Sequence, residues 1–255
     1  MRMILAVMYR EYRIRTTSMT WSFYDVILPL TYLLLFGLGL NGAFSEGIMA
    51  AGTPISYAAF FLPGVLSMAS FGIAINTAYG IFVDRDNGIF YEFLTYPMTR
   101  GQYLVGKILF NCLLALLQAG LTVTLGALLL NIPLYGPGLF IVAPMVVLGT
   151  AGWFFSLSLL ALRIQRNDAF NVVLNAVYFV LMFASSIFYP LDAMPGWLRV
   201  ASLLNPLTWH TDILRFGTTG MGTATAILAE SLAFCLFLLL AFRLAVRTLN
   251  TGLFR

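Results

Sequence analysis

The sequence predicts an all-α membrane protein with six transmembrane helices, and three observations carry that expectation. First, 60% of its 255 residues are hydrophobic and only 9% are charged, whereas about a quarter of a soluble domain is charged. The mean hydropathy is +0.91. Second, the apolar residues gather into long uninterrupted runs, each near the roughly 20 residues that a helix needs to cross the hydrocarbon core. Lipid offers no partner for backbone polar groups, so such runs must be helical; the alternating pattern of a membrane barrel is missing. Third, the cations segregate. Arg2, Arg10, Arg13, Arg15, Arg85, Arg100, Lys107, Arg163, Arg166, Arg243, Arg247 and Arg255 fall on one side, and only Arg199 and Arg215 on the other. By the positive-inside rule both termini are cytoplasmic. Five or seven spans would destroy this segregation.

The chain reads as a single membrane domain, residues 1–255, with no internal repeat, low-complexity tract or soluble domain. Residues 1–17 read as an interfacial helix, or more plainly as a positive flank to the first span: Met1, Ile4, Leu5, Met8 and Tyr12 share one face, and Arg2, Arg10 and Arg13 share another that would point toward headgroups. This segment makes a poor signal peptide. Its charged region is too long, Asp25 and Pro29 interrupt the apolar run behind it, and no small-residue cleavage site appears. The expected spans are Ser22–Leu40, Ala58–Ile81, Ile108–Leu130, Leu139–Leu162, Phe170–Tyr189 and Thr223–Val246. Trp21 and Tyr24 sit at the first as an interfacial belt. The outer loop Asn41–Tyr57 is short and Gly-rich, and Asn131–Gly138 is a tight turn with Pro133 and Pro137.

Two loops are unusual. Residues 84–107, DRDNGIFYEFLTYPMTRGQYLVGK, are the long polar interruption on the basic side. Within it Ile89, Phe90, Phe93 and Leu94 recur at helical spacing, the mark of a short amphipathic helix, and Pro97 ends it. A helix of this kind between two spans is shaped to dock something soluble; an ordinary connecting loop is the plainer alternative. On the outer side, residues 190–222 are long and scarcely polar. Pro195 and the Asn205-Pro206 pair divide them into two short helices, with Asn205 as N-cap and Pro206 at the first helical position. They read as re-entrant helices, or else as surface helices held by Trp197 and Trp209.

Chemistry is sparse. Gly101 to Lys107 matches the G-x-x-x-x-G-K spacing of a phosphate loop, but Ile108 stands where a hydroxyl residue is required and no strand precedes it. Lys107 reads better as a headgroup anchor. His210 is the one histidine and reads as an interfacial side chain; no nucleophile elbow or zinc motif accompanies it. Cys112 and Cys235 read as small buried side chains. Glu230 lies inside the sixth span, where a charge costs about 2.5–3.5 kcal/mol on insertion scales, so it should face protein or water. Asp25 reaches the headgroups. Asn76, Asn111, Gln118, Asn171 and Asn175 could bond between helices or line a path. The basic balance belongs to topology and anionic lipid, not to nucleic acid.

The stretch Asp84 to Arg100 resembles the segment after the second span of type-2 ABC exporter permeases, the family of the daunorubicin-resistance and nodulation-signal export permeases. Gly88, Glu92, Leu94, Pro97 and Arg100 occupy its pattern, and Asn87 departs from it. The outer loop resembles the family's second signature through Phe188, Pro190, Pro195, Trp197, Asn205, Pro206, Thr208, Asp212 and Arg215. The resemblance implies the permease subunit of an ATP-driven exporter in the bacterial inner membrane, for an amphipathic, lipid-linked or glycan-type substrate. It implies a second copy of the chain, as a homodimer, and two copies of an ABC ATPase that carry the ATP and magnesium, so that this chain has no cofactor and no enzymatic activity of its own. Gly88, Ile89, Phe90, Glu92, Phe93, Leu94, Pro97 and Arg100 would form the coupling helix and its flanks. Pro190, Pro195, Trp197, Asn205, Pro206 and Arg215 would form the outer gate. Two other classes stay open at this point: an ion-coupled secondary transporter using Glu230, and an intramembrane enzyme using His210.

Overall fold

The computed structural model describes residues 2–43, 47–50 and 52–251, and the side chains of all of these except Trp21, Asn41, Ala43, Thr53 and Leu94. The expectations for Met1, Arg255, the Trp21 belt and the Leu94 side chain therefore lie outside the described residues.

Ten α-helices are described: α1 (Arg2–Thr17), α2 (Met19–Ala43), α3 (Tyr57–Asp86), α4 (Ile89–Thr95), α5 (Arg100–Leu129), α6 (Leu139–Arg163), α7 (Asn167–Phe183), α8 (Gly196–Leu203), α9 (Pro206–Thr219) and α10 (Ala224–Asn250). The connection between α2 and α3 carries a feature the sequence did not announce, an antiparallel ribbon of β1 (Ile48–Ala50) and β2 (Thr53–Ile55). Its register pairs Ile48 with Ile55 and Ala50 with Thr53, and Gly52 turns it at φ +75°, a conformation that glycine adopts without penalty.

Among the described residues, five helices are long and apolar enough to cross a bilayer: α2, α3, α5, α6 and α10. α7 differs from its expected span, 170–189. It is a 17-residue helix that stops at Phe183, about 25 Å long at 1.5 Å per residue. The next stretch, 184–189, bends back into the protein, with Ser185, Ser186 and Ile187 fully buried. Irregular backbone at that depth needs protein partners, and it has them. Asn205 Nδ2 donates to the carbonyls of Leu181 and Ala184 at 2.7 and 2.8 Å, Ser202 Oγ donates to Ala184 O at 3.0 Å, and Ser186 N donates to Thr208 Oγ1 at 3.3 Å. Gly64 of α3 makes the bend possible, because a Cβ there would lie 2.9 Å from the Ile187 side chain.

α3 is the axis of the fold. In its most apolar stretch 89% of residues are buried, against 11% in α10 and 22% in α2, whose open faces are apolar. α3 packs against α2, α5, α6 and α9. Its phenylalanines Phe60, Phe61, Phe71 and Phe82 are among the largest fully buried side chains. Phe71 meets Trp153 of α6 and Tyr178 of α7, with ring centroids 4.5 and 5.0 Å apart. Cys112 is buried as expected, whereas Cys235 is exposed on the outer face of α10.

Candidate functional site: the hairpin between the two longest helices

α3 and α5, at 30 residues each, are the longest helices. Each is about 45 Å long by the α-helical rise and so overshoots a hydrocarbon core of about 30 Å. The expected polar loop 84–107 is largely the ends of these two helices, with α4 bridging them. Gly88, at φ +73°, makes the turn out of α3. Pro97 lies in the break after α4, and Thr99 starts α5 with a reciprocal capping box: its side chain accepts from Gln102 N while Gln102 Oε1 accepts from Thr99 N, which satisfies two of the orphan donors of a helix start.

α4 has two faces. Inward, Phe90 is buried and Phe93 half-buried, both against the ring of Tyr103 with centroids 5.5 and 5.4 Å away. Outward, Tyr91, Glu92, Thr95 and Tyr96 are exposed, with Pro97 beside them. The Arg10 guanidinium lies 5.4 Å from the Phe93 ring centroid. Of the residues expected to couple, Glu92 and Pro97 thus face outward. Phe90 and Phe93 fix α4 to the membrane body instead, with Gly88, Ile89 and Arg100 partly exposed at the edges. The Leu94 side chain is outside the described set.

Behind α4 lies a buried ionic cluster that the sequence did not reveal. Asp84 accepts from Arg10 through both oxygens at 2.5 and 3.1 Å, from Lys107 Nζ at 2.8 Å and from the Tyr103 hydroxyl at 2.9 Å. Lys107 Nζ also donates to Glu11 Oε1 at 2.8 Å. Two cations and two carboxylates balance, which is what permits their burial. Burial alone would lower the Arg10 pKa; the hydrogen bond and charge of Asp84 outweigh it and raise it, so Arg10 stays charged. Lys107 is therefore no headgroup anchor: it is 1% exposed. Arg10 likewise turns inward, although Leu5 and Tyr12 remain exposed on α1.

Glycines set this packing. A Cβ at Gly106 would fall 2.8 Å from Val7 Cβ and 3.0 Å from Ile4 O, and one at Gly80 would fall 3.2 Å from Lys107 Nζ. Gly106 and Lys107 thus serve helix packing, and the whole Gly101–Lys107 segment lies inside α5, not in a loop that could wrap a phosphate.

One turn deeper, Arg15 bonds Asp25 Oδ2 at 2.7 Å and Asn111 Oδ1 at 3.0 Å, while Asn76 Nδ2 donates to Asp25 Oδ1 at 2.6 Å. Asp25 is consequently buried rather than at the headgroups. Asn76 and Asn111 do bond between helices, whereas Gln118, Asn171 and Asn175 bond within their own. Arg85 closes the neighbouring end of α6 by donating to the carbonyls of Ala161 and Ile164 at 2.7 and 2.6 Å, a cation on the negative end of a helix.

The residues expected to form the outer gate lie in the segment between α7 and α10. Asn205 caps α9 by accepting from Leu207 N at 2.9 Å, with Pro206 at the first turn. Pro190 precedes a short turn of 3-10 helix, Pro195 precedes α8, and Trp197 is exposed. Arg215 is buried and donates to Asp212 and to Ser186 O. His210 is not interfacial. It is fully buried, stacks on Phe234 with centroids 5.3 Å apart, and fits because α6 carries Gly149, where any Cβ would collide with the imidazole. Nε2 lies 3.2 Å from Met145 O, which can only accept, so Nε2 carries the proton and Nδ1 accepts from Ser67 Oγ at 2.7 Å. Ser67 and His210 are both at 0% exposure, which leaves a substrate no approach. This pair ties α9 to α3 and α6.

Known proteins are similar to this sequence over most of its length. A family model described as ABC-2 type transporter matches residues 2–218. The chain is 30% identical over 214 residues to the daunorubicin resistance ABC transporter permease protein DrrB1 of Streptomyces coeruleorubidus, a match that covers 81% of this chain and 72% of that one. It is 28% identical over 195 residues to the putative transport permease ycf38 of Cyanophora paradoxa, covering 75% and 65% of the two chains. It is 26% identical over 162 residues to the probable multidrug ABC transporter permease YbhR of Escherichia coli, covering 63% of this chain but only 44% of the relative.

Proposed function

Since the chain belongs to the ABC-2 type transporter family, a family of transport permeases rather than enzymes, we propose that it is the membrane subunit of an ATP-driven exporter and that α4 is the element on which a separate ATPase acts. One observation carries this reading: α4 is locked to α1, α3 and α5 on its inner face and leaves Tyr91, Glu92, Thr95 and Tyr96 open on the other. A push on the open face cannot be absorbed locally. The Phe90, Phe93 and Tyr103 rings and the Asp84 cluster pass it to α3 and α5, the two rigid helices that run the depth of the fold.

In this reading the chain crosses a bacterial plasma membrane six times, with α7 as the fifth crossing and both termini in the cytoplasm. Two ATPase copies supply ATP and magnesium from below. A second copy of the chain completes the path. Supporting this, α2 and α7 are largely open and flank a groove of about 1130 Å³ lined by Tyr32, Phe36, Tyr178, Phe179, Phe183 and Phe188. An aromatic groove of this size suits an amphipathic or lipid-linked cargo. Phe188, Tyr189 and Pro190 of the bend, with Ile48 and Met49 of the β ribbon, line one end of it, and in this reading the bend with α8 and α9 forms the outer gate.

The test is copurification. Glu92→Lys changes only an exposed side chain, so insertion and melting should match the wild type while recovery of the ATPase falls at least tenfold. Unchanged ATPase recovery with full ATP-dependent export would refute the docking role.

A further inference from the structure

At the outer end of the fold a second cavity, of about 500 Å³, opens between the α9–α10 turn, the Pro190–Asp192 corner and α3. Its polar wall holds Asp192, Arg199, Asp212, Arg215 and Glu230. Arg199 pairs with Asp192 at 3.2 Å, and Arg215 pairs with Asp212. Each arginine thus has its own carboxylate, and Glu230 is left with none of the cations to itself. Glu230 Oε2 is buried without a hydrogen-bond partner.

Arg215 cannot turn to meet it. Its Nη1 is engaged by Asp212 and lies 3.4 Å from Ser186 Oγ, its Nη2 donates to Ser186 O at 2.6 Å, and its guanidinium lies 4.2 Å from the Phe60 ring centroid. What remains is Nε, a second buried group without a partner, on a residue 6% exposed. Glu230 and Arg215, both in the cavity wall, thus hold one unmatched carboxyl oxygen and one unmatched donor, with apolar surface from Phe60, Leu191, Met221 and Ile227 around the cavity. Buried polar atoms are as a rule satisfied, and a ligand that satisfies both needs a cation for Glu230 and an oxygen for Arg215 Nε.

We propose that this cavity is a binding site for an organic ammonium that carries a neighbouring oxygen, an amino-alcohol group, with the ammonium on Glu230 and the oxygen accepting from Arg215 Nε. Such a group comes either as a soluble amphiphilic amine or as the headgroup of an ethanolamine lipid. Binding is read at equilibrium without ATP or ATPase, so its failure leaves the exporter reading untouched, and failure of ATPase docking leaves this site untouched.

The full chain in phosphatidylglycerol nanodiscs is titrated with isotope-labelled N-octylethanolamine and with 2-(octyloxy)ethanol, the neutral ether of matching length, and empty nanodiscs are subtracted. The wild type should bind the amine at least tenfold more tightly than the ether. Glu230→Gln keeps the shape and removes the charge, and should bring the two affinities together. Equal affinities in the wild type would overturn the proposal whether or not the variant folds, and so would a preference that survives in a Glu230→Gln protein of normal melting temperature. In nanodiscs containing phosphatidylethanolamine, a tenfold weaker amine affinity identifies the lipid headgroup as the occupant, and an unchanged one identifies the soluble amine.

Discussion

Asp84→Asn probes the cluster that joins α1, α3 and α5. In the wild type Arg10 and Lys107 balance Glu11 and Asp84, with side chains 26%, 1%, 6% and 3% exposed. The substitution keeps the shape, removes one negative charge, and leaves Lys107 buried with Glu11 alone. Removing one partner of a buried ion pair costs about 3–5 kcal/mol. Arg10 is a quarter open and can turn toward water, which places the expectation near 3 kcal/mol. Lys107→Met removes the opposite charge and leaves Asp84 its bonds from Arg10 and Tyr103, so about 2 kcal/mol is expected. The double variant restores neutrality, with Arg10 facing Glu11, and should cost about 2 kcal/mol less than the sum of the singles. Unfolding in mixed detergent–SDS micelles, followed by tryptophan fluorescence, gives all three values. Costs that add to within about 0.5 kcal/mol would refute a cooperative cluster.

The same geometry sets other outcomes. Gly106→Val should push α1 off α5, because even a Cβ meets Val7 and Ile4 O; trypsin should then cut at the exposed Arg13 several-fold faster. Gly149→Ala should cost roughly 1–3 kcal/mol by overpacking against His210, read in the same unfolding assay. Asn205→Ala removes the α9 cap and the bonds to the Leu181 and Ala184 carbonyls, and should destabilise by about 2 kcal/mol or more. Arg85→Gln should loosen the α6 end near Ile164 and speed amide exchange there, with little effect on α1.

Much of this fold is legible in the sequence because lipid imposes length and apolarity on a crossing helix. The runs that became α3, α5, α6 and α10 stand out for that reason. The α9 start could be read from Asn205-Pro206, since capping is local chemistry. The end of α7 could not. Ala184 to Tyr189 is apolar enough to extend the helix, and what stops it is a set of bonds with Ser202 and Asn205, which donate, and Thr208, which accepts, residues some way along the chain. The ionic cluster was hidden for the same reason. Arg10, Asp84 and Lys107 each look like ordinary flanking charges, and Glu11, the partner that buries Lys107, carried no motif. Only the neutral balance of the four could have hinted at it. Composition also could not place His210, because its pocket is made by the absence of a side chain at Gly149.

If α4 is the docking element, its open face lies in the cytoplasm and is covered by a soluble partner. This is tested most directly by Glu92→Cys in a Cys112→Ser, Cys235→Ser background, treated with a membrane-impermeant maleimide. A cytoplasmic, ATPase-covered α4 gives no labelling in intact cells, rapid labelling in inside-out vesicles, and protection when the ATPase is bound. Labelling of intact cells from the exterior would contradict it.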